Sequence, residues 1–212
     1  MTTFGCEGVE FGYGRLPSIL RDVSLTVHTG EMVALTGESG RGKSTLLYLL
    51  GLMLTPRRGD VHLDGRPVSA LSDRARSALR ASSMGFVFQD AALDHTRTVL
   101  DNIVEVSIYG DLDPALARER AAALAEEFGV LVPTDRRPGQ ISGGQAQRIA
   151  LCRALVHDPP ILLADEPTGN LDDRSASGVI AGLRRHADAG RIVVAATHDP
   201  RLAQACSRTV SL

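Results

Sequence analysis

Cysteines, net charge and long apolar segments are all scarce in this sequence, and each shortage excludes a class of protein. The three cysteines, Cys6, Cys152 and Cys206, are odd in number and widely spaced. This spacing argues against a disulfide framework or a zinc site and predicts reduced thiols in the cytoplasm. A formal net charge of −2 disfavours a nucleic-acid binder that depends on bulk electrostatics.

Apolar segments are too short for a membrane protein. The longest apolar run, residues 46–54, is far below the roughly 20 residues that a transmembrane helix needs. The first five residues lack the charged and apolar regions of a signal peptide, so none is expected. The 212 residues are 43% hydrophobic and 23% charged, which predicts a soluble globular protein with one large domain.

The most informative stretch is a glycine-rich loop, Gly37-Glu38-Ser39-Gly40-Arg41-Gly42-Lys43-Ser44-Thr45. It fits the pattern G-x-x-x-x-G-K followed by Ser or Thr. Residues 31–36 before it predict a strand, and residues 44–50 predict the start of a helix. Glycines let successive N–H groups point at phosphate oxygens, and the helix N-terminus adds partial positive charge. An ordinary glycine-rich turn is the alternative, which the flanking strand and helix disfavour.

Two side chains of this loop carry specific chemistry. Lys43 supplies a full positive charge for the outer phosphates of a nucleotide, and Ser44 supplies a hydroxyl for Mg²⁺. The sequence therefore predicts a nucleotide site built from residues 37–45.

Two carboxylates, Asp165 and Glu166, follow the apolar residues 161–164. At the end of a parallel strand they would lie at the carboxyl edge of the sheet, where ligands bind. Because neighbouring strand residues point opposite ways, Asp165 is expected to reach Mg²⁺ and Glu166 to face the γ-phosphate and the attacking water. A general base in that position contributes about 10²–10⁴-fold. A solvent-exposed strand cap is the alternative, which two acids after four apolar residues disfavour.

The rest of the chain predicts an α/β fold with an inserted helical lobe. Alternating segments between residues 5 and 35 predict strands with one half-buried face. The pattern turns helical from about 90 to 157, with a helix over 114–128 that has proline in its first turn. Residues 161–165 and 192–196 have the continuous apolar pattern of buried parallel strands.

Further motifs occur in a recognisable order. Residues 37–45 look like a Walker A motif and residues 162–166 like a Walker B motif. Between them Ile141-Ser142-Gly143-Gly144-Gln145 resembles the ABC signature, with isoleucine where leucine is usual. The other matches are Tyr13 for the aromatic A-loop residue, Gln89 for the Q-loop, Gly169-Asn170-Leu171-Asp172 for the D-loop and His198 for the switch histidine. Over essentially its whole length the chain resembles one ATP-binding subunit of an ABC transporter.

The resemblance implies a fold and its division. The expected fold is a P-loop NTPase core with a mainly parallel sheet, an N-terminal antiparallel β subdomain and an inserted α-helical subdomain. A single ABC ATPase domain would span 1–212. Residues 1–89 and 158–212 would form the core with its β subdomain, and about 90–157 the helical signature subdomain.

The resemblance also implies hydrolysis of ATP to ADP and phosphate with Mg²⁺. The implied catalytic residues are Lys43, Glu166 and His198, and the implied metal ligands are Ser44, Gln89 and Asp165. The implied nucleotide contacts are Tyr13, residues 37–45 and Gln89. Tyr13 is preferred over Phe11 for stacking on adenine, because Tyr13 lies in a glycine break and Phe11 in a strand. His198 and the Ser142 helix start each have an ordinary structural alternative, so their roles depend on the resemblance.

The implied partners are a second copy of the chain and a membrane permease. In a head-to-tail homodimer, Ser142–Gln145 of one subunit would contact the ATP held by the phosphate loop of the other. The permease would be a separate polypeptide, because no membrane segment is predicted here. The subunit would then be cytoplasmic and peripheral on the inner face of the cell membrane, with no nucleic-acid partner.

Residues 164–172 are similar to the branch that drives lipoprotein release, macrolide or peptide export and cell-division complexes. The chain departs from that branch at Gln145-Ala146-Gln147-Arg148, where three glutamines are usual, and over residues 90–95. Because residues 90–95 face the membrane partner in the family, the resemblance identifies neither the partner nor the cargo.

The sequence allows three alternatives to transport. ATP-driven signalling through a membrane partner without cargo uses the same ATPase chemistry and stays open. A soluble ABC ATPase acting on DNA or ribosomes is disfavoured, since no long coiled coil or second ATPase domain is present. A degenerate subunit without turnover is disfavoured by intact Lys43, Asp165, Glu166 and His198.

Overall fold

Two β-sheets and seven α-helices make up the part of the chain that the computed structural model describes, residues 2–109 and 112–212. The strands are β1 (Thr3–Phe11), β2 (Leu20–His28), β3 (Met32–Thr36), β4 (Arg58–Leu63), β5 (Arg66–Pro67), β6 (Met84–Val87), β7 (Ile161–Asp165), β8 (Ile192–Ala196) and β9 (Arg208–Ser211). The helices are α1 (Lys43–Leu50), α2 (Asp73–Ser83), α3 (Val99–Val104), α4 (Pro114–Glu127), α5 (Gly143–Leu155), α6 (Asp173–Asp188) and α7 (Pro200–Ala205), with 3₁₀ turns at Glu105–Ile108 and Pro138–Gln140.

The first sheet is antiparallel, with strand order β2-β1-β4-β5. Strand β2 alternates between buried residues such as Leu25 and Val27 and exposed ones between them. This is the period of two that one half-buried face requires. The sheet confirms the predicted N-terminal antiparallel subdomain.

The second sheet is parallel, with strand order β6-β7-β8-β3-β9. All residues of β7 and β8 are buried, as expected for strands that are covered on both faces. The register pairs Leu35 of β3 and Asp165 of β7 with the same residue of β8, Ala196. The carboxyl ends of the three strands therefore meet at one edge, and the predicted α/β fold class is confirmed.

The core has two parts, which lie on the two faces of the parallel sheet. One fills the space between the two sheets and includes the buried leucines of α1, such as Leu46 and Leu49. The other lies between the parallel sheet and helices α3 to α6, with Ile149 and Leu183 fully buried. Helix α1 is thus held by burial of apolar area on its strand-facing side.

Helix α7 and strand β9 were not indicated by the sequence pattern. Strand β9 carries Arg-Thr-Val-Ser and lies at the edge of the parallel sheet, paired with β3. An edge strand is covered on fewer sides, so it lacks the continuous apolar run that marks β7 and β8. The division of the chain into core and signature subdomains stays a prediction.

The three cysteines are unpaired, and Cys6 and Cys152 are buried. Burial raises the pKa of the Cys152 thiol to about 12 and that of the Cys6 thiol to about 11. The thiolate is the reactive form, so both are packing residues in the core.

Candidate nucleotide-binding site

The phosphate loop joins β3 to α1, and its glycines have backbone conformations that other residues rarely adopt. Gly37, Gly40 and Gly42 have φ values of 133°, 82° and 95°. A Cβ on Gly37 would lie 2.7 Å from the carbonyl oxygen of Leu212, and one on Gly42 would lie 2.7 Å from the Leu20 side chain. The loop therefore needs glycine both for its turn and for close packing.

Helix α1 begins differently from the other helices of the described chain. Its N-cap is Gly42, which makes no side-chain capping bond. Helices α2 to α7 each begin at a side chain that accepts a hydrogen bond from the first turn; these caps are Ser72, Thr98, Asp113, Ser142, Asp172 and Asp199. An uncapped N-terminus leaves its N–H groups and partial positive charge for an external anion.

A cavity of about 560 Å³ opens beside this loop. Its lining residues are Ile19, Gly37, Ser39, Gly40, Gly42, Lys43, Ser44, Thr45, Gln89, Glu166 and His198. Ten of these were predicted as nucleotide-binding or catalytic residues from separate segments of the sequence. Ile19 was missed, because an apolar residue next to a strand looks like an ordinary core position.

Lys43 is held against the backbone of the loop. Its Nζ donates hydrogen bonds to the carbonyl oxygens of Gly37, at 2.9 Å, and Glu38, at 3.0 Å. The Lys43 ammonium group therefore lies on the phosphate loop, close to the uncapped N-terminus of α1. A cation at this point adds to the helix dipole in attracting phosphate oxygens.

Asp165 lies under the loop, at the end of β7. The Ser44 hydroxyl donates to its Oδ1 at 2.9 Å, and the residue is only 1% exposed. Burial raises the pKa of the Asp165 carboxyl above its ordinary value; the bond from Ser44 opposes the rise, and the nearby Glu166 carboxylate adds to it. A bound cation would favour the ionised form of this carboxylate.

Glu166 turns away from Asp165 and faces the next strand. Its φ of 47° is unusual for a residue other than glycine, and its N–H donates to the carbonyl of Ala196 at 2.9 Å. Its Oε1 lies 2.7 Å from Nδ1 of His198, and its Oε2 accepts from the Thr197 hydroxyl at 3.3 Å. Such backbone conformations are costly and concentrate at functional sites.

Three predicted nucleotide contacts lie at the rim of the cavity or outside it. Tyr13 is 43% exposed, its hydroxyl lies 3.4 Å from Oγ1 of Thr45 and its ring packs edge-on against Phe11. Glu38 and Arg41 form an exposed ion pair at the loop tip, with 3.1 Å between Oε2 and Nη2.

The signature residues form the start of α5. The Ser142 hydroxyl accepts from the N–H of Gln145 at 3.3 Å, and the Gln145 side chain accepts from the N–H of Ser142 at 2.9 Å. This reciprocal capping box is exposed. Among the described residues that line the loop cavity, none belongs to Ser142–Gln145.

The D-loop lies beside the signature. A Cβ on Gly144 would lie 3.1 Å from the carbonyl oxygen of Asn170. Asp172 caps α6 by accepting from the N–H of Ser175 at 2.9 Å. The predicted site residues are therefore divided between two places, the loop cavity and the exposed signature surface.

Arg153 of α5 was not singled out by the sequence pattern. Its side chain is buried, and it donates to the carbonyl oxygens of Ala91 and Ala92 at 2.7 Å each. Both alanines have positive φ, 62° and 44°. A guanidinium with two donors can hold two adjacent carbonyls of a strained turn, so Arg153 supports the loop that follows Gln89.

A strand, a glycine loop with a lysine, an uncapped helix and two carboxylates at the sheet edge define a P-loop nucleotide triphosphatase. The sequence model of the family described as "ABC transporter" matches residues 20–169. The chain therefore belongs to the ABC transporter family, and it is an ATP-binding cassette ATPase.

Relatives and solved structures agree with this assignment. The chain is 45% identical over 195 residues to the "Lipoprotein-releasing system ATP-binding protein LolD" of Bordetella pertussis, covering 92% of this chain and 84% of that protein. It is 44% identical over 194 residues to the "Macrolide export ATP-binding/permease protein MacB 1/2" of Paracoccus denitrificans, covering 92% of this chain but 29% of that protein.

Among solved structures, the chain is similar to the dimeric ATP-binding cassette MJ0796 in a post-hydrolysis state bound to ADP and Pi. The TM-score is 0.90 at 32% identity, and the match covers 100% of this chain and 94% of that one. A bacterial Atm1-family ABC exporter with ATP bound matches with a TM-score of 0.85 at 31% identity, over 99% of this chain and 36% of that one.

Proposed function

We propose that the chain is the energy-coupling subunit of a membrane transporter of the export or lipoprotein- and peptide-extrusion type. The observation that carries the proposal is the single cavity where Lys43, Ser44, Glu166 and His198 meet. In this proposal the uncapped start of α1 and the Lys43 ammonium bind the β- and γ-phosphates. Tyr13 and Ile19, which flank the loop, hold the base end of the nucleotide.

The donor set of this site suits Mg²⁺. A hydroxyl, an amide oxygen and a carboxylate, from Ser44, Gln89 and Asp165, are hard oxygen ligands. Within the described residues no group of three or more His, Cys, Asp or Glu side chains could hold a metal ion. Mg²⁺ typically needs only one or two protein carboxylates beside substrate phosphates and water. When bound, it would neutralise charge on the phosphates.

Glu166 is proposed to deprotonate the attacking water, and His198 is proposed to orient Glu166. The Glu166 carboxylate accepts a proton as the water oxygen bonds to the γ-phosphorus. The bond between that phosphorus and the β–γ bridging oxygen breaks, so ADP leaves and the released phosphate carries the oxygen of the water. His198, 2.7 Å from the Glu166 carboxylate, orients that carboxylate and stands beside the γ-phosphate. Positioning and charge neutralisation supply most of the catalysis in phosphoryl transfer.

The second half of each site is proposed to come from another copy of the chain. The exposed start of α5, with the N–H groups of Gly143 and Gly144, suits a γ-phosphate held by a facing phosphate loop. Two copies in head-to-tail arrangement would enclose two ATP molecules, and hydrolysis would remove the phosphate that joins them.

The membrane partner is proposed to dock beside Gln89. Phe88 and Ala92, which flank that residue and the strained turn after it, line a cavity of about 600 Å³ together with Met53 and Val106. Met53 is 37% exposed, so part of this apolar surface faces outward. Across residues 2–109 and 112–212, no helix is both long and apolar enough to cross a membrane. The proposed location is the cytoplasmic face of the membrane, against a separate permease.

The testing experiment is Glu166→Gln. Loss of the general base should lower ATP turnover by about 10²–10⁴-fold while ATP binding persists, because the phosphate loop is untouched. With Mg–ATP the variant should shift from monomer to dimer in size-exclusion chromatography with light scattering.

Glu126→Gln, an exposed glutamate of α4, is the matched control and should keep wild-type turnover. Wild-type turnover in Glu166→Gln would remove Glu166 from its proposed role. Absence of a dimer, both alone and with the membrane partner supplied, would contradict the head-to-tail arrangement.

A further inference from the structure

Two residues on one face of α1 reach the same carboxylate. Ser44 and Tyr48 are four residues apart, so their side chains lie on successive turns of the same helix face. The Ser44 hydroxyl donates to Oδ1 of Asp165 at 2.9 Å, and the Tyr48 hydroxyl lies 3.4 Å from Oδ2. Each oxygen of this buried carboxylate thus faces its own hydroxyl donor.

The position of the Tyr48 ring is set by aromatic packing. Its centroid lies 5.7 Å from that of Phe86 and 6.4 Å from that of Phe88, and those two rings are 4.4 Å apart. Such spacings are typical of favourable aromatic contacts. Tyr48 is half-buried, and the packed ring restricts the movement of its hydroxyl. The hydroxyl therefore stays directed at Asp165, the last residue of β7.

We propose that Tyr48 is a positioning residue for the metal site: it orients Asp165 by holding Oδ2 and so keeps Oδ1 turned toward Ser44, which would hold the cation together with Asp165. A carboxylate that is 1% exposed has little water to satisfy it, so its side-chain donors decide its orientation. The Ser44 hydroxyl reaches only Oδ1, so the Tyr48 hydroxyl is the side-chain donor that holds Oδ2. The inference rests on the proposed role of Asp165 as a metal ligand.

Outer partners of metal ligands typically contribute 10–100-fold to metal affinity. The O···O distance here is long for a hydrogen bond between oxygens, so an effect at the lower end, about tenfold, is expected. The readout is Mn²⁺ affinity of the ADP-bound protein, measured by electron paramagnetic resonance without turnover.

Tyr48→Phe keeps the ring and removes the hydroxyl, so it should weaken Mn²⁺ binding about tenfold with unchanged ADP affinity in the absence of metal. Tyr109→Phe is the matched control: it loses the same hydroxyl at a site that is 68% exposed, and it should bind Mn²⁺ normally. Phe86→Leu removes one ring that supports Tyr48 and should give a smaller loss.

Asp165→Asn separates the inference from the proposed function. It should weaken Mn²⁺ binding more than Tyr48→Phe does, and adding Tyr48→Phe to it should have no further effect. If Asp165→Asn weakens binding but Tyr48→Phe does not, the role of Tyr48 is overturned and that of Asp165 survives. If Asp165→Asn leaves Mn²⁺ binding unchanged, both are overturned. If Tyr48→Phe lowers Mn²⁺ affinity by the same factor in the Asp165→Asn background as in the wild type, Tyr48 does not act through Asp165 and its proposed role is overturned.

Discussion

The starts of helices α1 and α5 contrast in how their backbone N–H groups are satisfied. Helix α1 begins at Gly42 without a side-chain cap, next to a cavity that holds a lysine and a catalytic carboxylate candidate. Helix α5 begins at Ser142 with a complete capping box, on an exposed surface. The start of α1 therefore has no side chain that bonds its N–H groups, which leaves them for a ligand bound by the same chain. At the start of α5, side chains of the helix itself bond the N–H groups of Ser142 and Gln145.

The bonds behind the two regions differ in sequence range. Ser44 and Asp165 are 121 residues apart, and Glu166 and His198 are 32 apart. The bonds of the capping box join residues only three apart. The loop cavity therefore depends on the packed sheet, and the signature surface is a local structure whose proposed ligand comes from another subunit.

The largest effect is expected from Lys43→Ala. Removing the ammonium leaves the loop without its full charge, so nucleotide affinity should fall strongly and turnover should be abolished. Isothermal calorimetry and a phosphate-release assay measure the two quantities. Arg118→Ala, at an exposed position of α4, removes one positive charge elsewhere and should change neither. An unchanged ATP affinity in Lys43→Ala would contradict the phosphate-loop assignment.

The sequence contains a single lysine, Lys43, beside 22 arginines, which sharpens this test. An amine-reactive reagent can modify only the N-terminal amine and Lys43, and ATP should protect the lysine. Equal labelling of Lys43 with and without ATP, read by peptide mass spectrometry, would place the nucleotide elsewhere.

A smaller effect is expected from Ser142→Ala, with Ser72→Ala as its matched control. Both serines cap a helix by accepting an N–H bond at 3.3 Å, from Gln145 and Ala75 respectively. Each variant should lose about 0.5–2 kcal/mol of stability in urea unfolding. In the Glu166→Gln background only Ser142→Ala should weaken ATP-dependent dimerisation, by about 10–100-fold for a lost bond to a charged group.

Equal dimerisation by the two serine variants would mean that Ser142 acts as a helix cap alone. The start of α5 would then differ from that of α1 in its helix cap but would have no role of its own in dimerisation.

The smallest effect is expected from a change at Arg201, whose bonds join the segment after β8 to the start of α6. Arg201 bonds Asp199, which follows His198, and Asp173, which follows Asp172. The Arg201 guanidinium is the main cause that lowers the pKa of Asp199 to about 2, with the Thr168 hydroxyl contributing. The ordinary aspartate pKa in an unfolded chain is about 3.9.

A lowered pKa in the folded state stabilises the fold above the unfolded value, and this stabilisation is lost as pH falls from about 4 toward 2. Arg201→Ala should therefore reduce stability at pH 6 and weaken its dependence on pH in the acid range. Urea unfolding between pH 3 and pH 6 measures both. Parallel stability curves for the variant and the wild type would show that Arg201 does not set this pKa.

Local features were predictable where neighbouring residues decide them. The strand–loop–helix around Lys43, the capping position of Ser142 and the divergence of Asp165 and Glu166 follow from glycine conformation, side-chain capping and strand alternation. The placement of Ile19 and Arg153 was not predictable, because an apolar residue and a buried arginine become site residues only through contacts with distant segments.

The sequence by itself determined the nucleotide chemistry, since the motifs carry their donors, acceptors and glycines in short runs. Only the tertiary structure decided that Leu212 packs against Gly37 and that Tyr48 faces Asp165. It also decided that the signature residues lie away from the loop cavity of their own chain. These features depend on which strands lie side by side, and sheet order arises from burial of the whole core rather than from any local pattern.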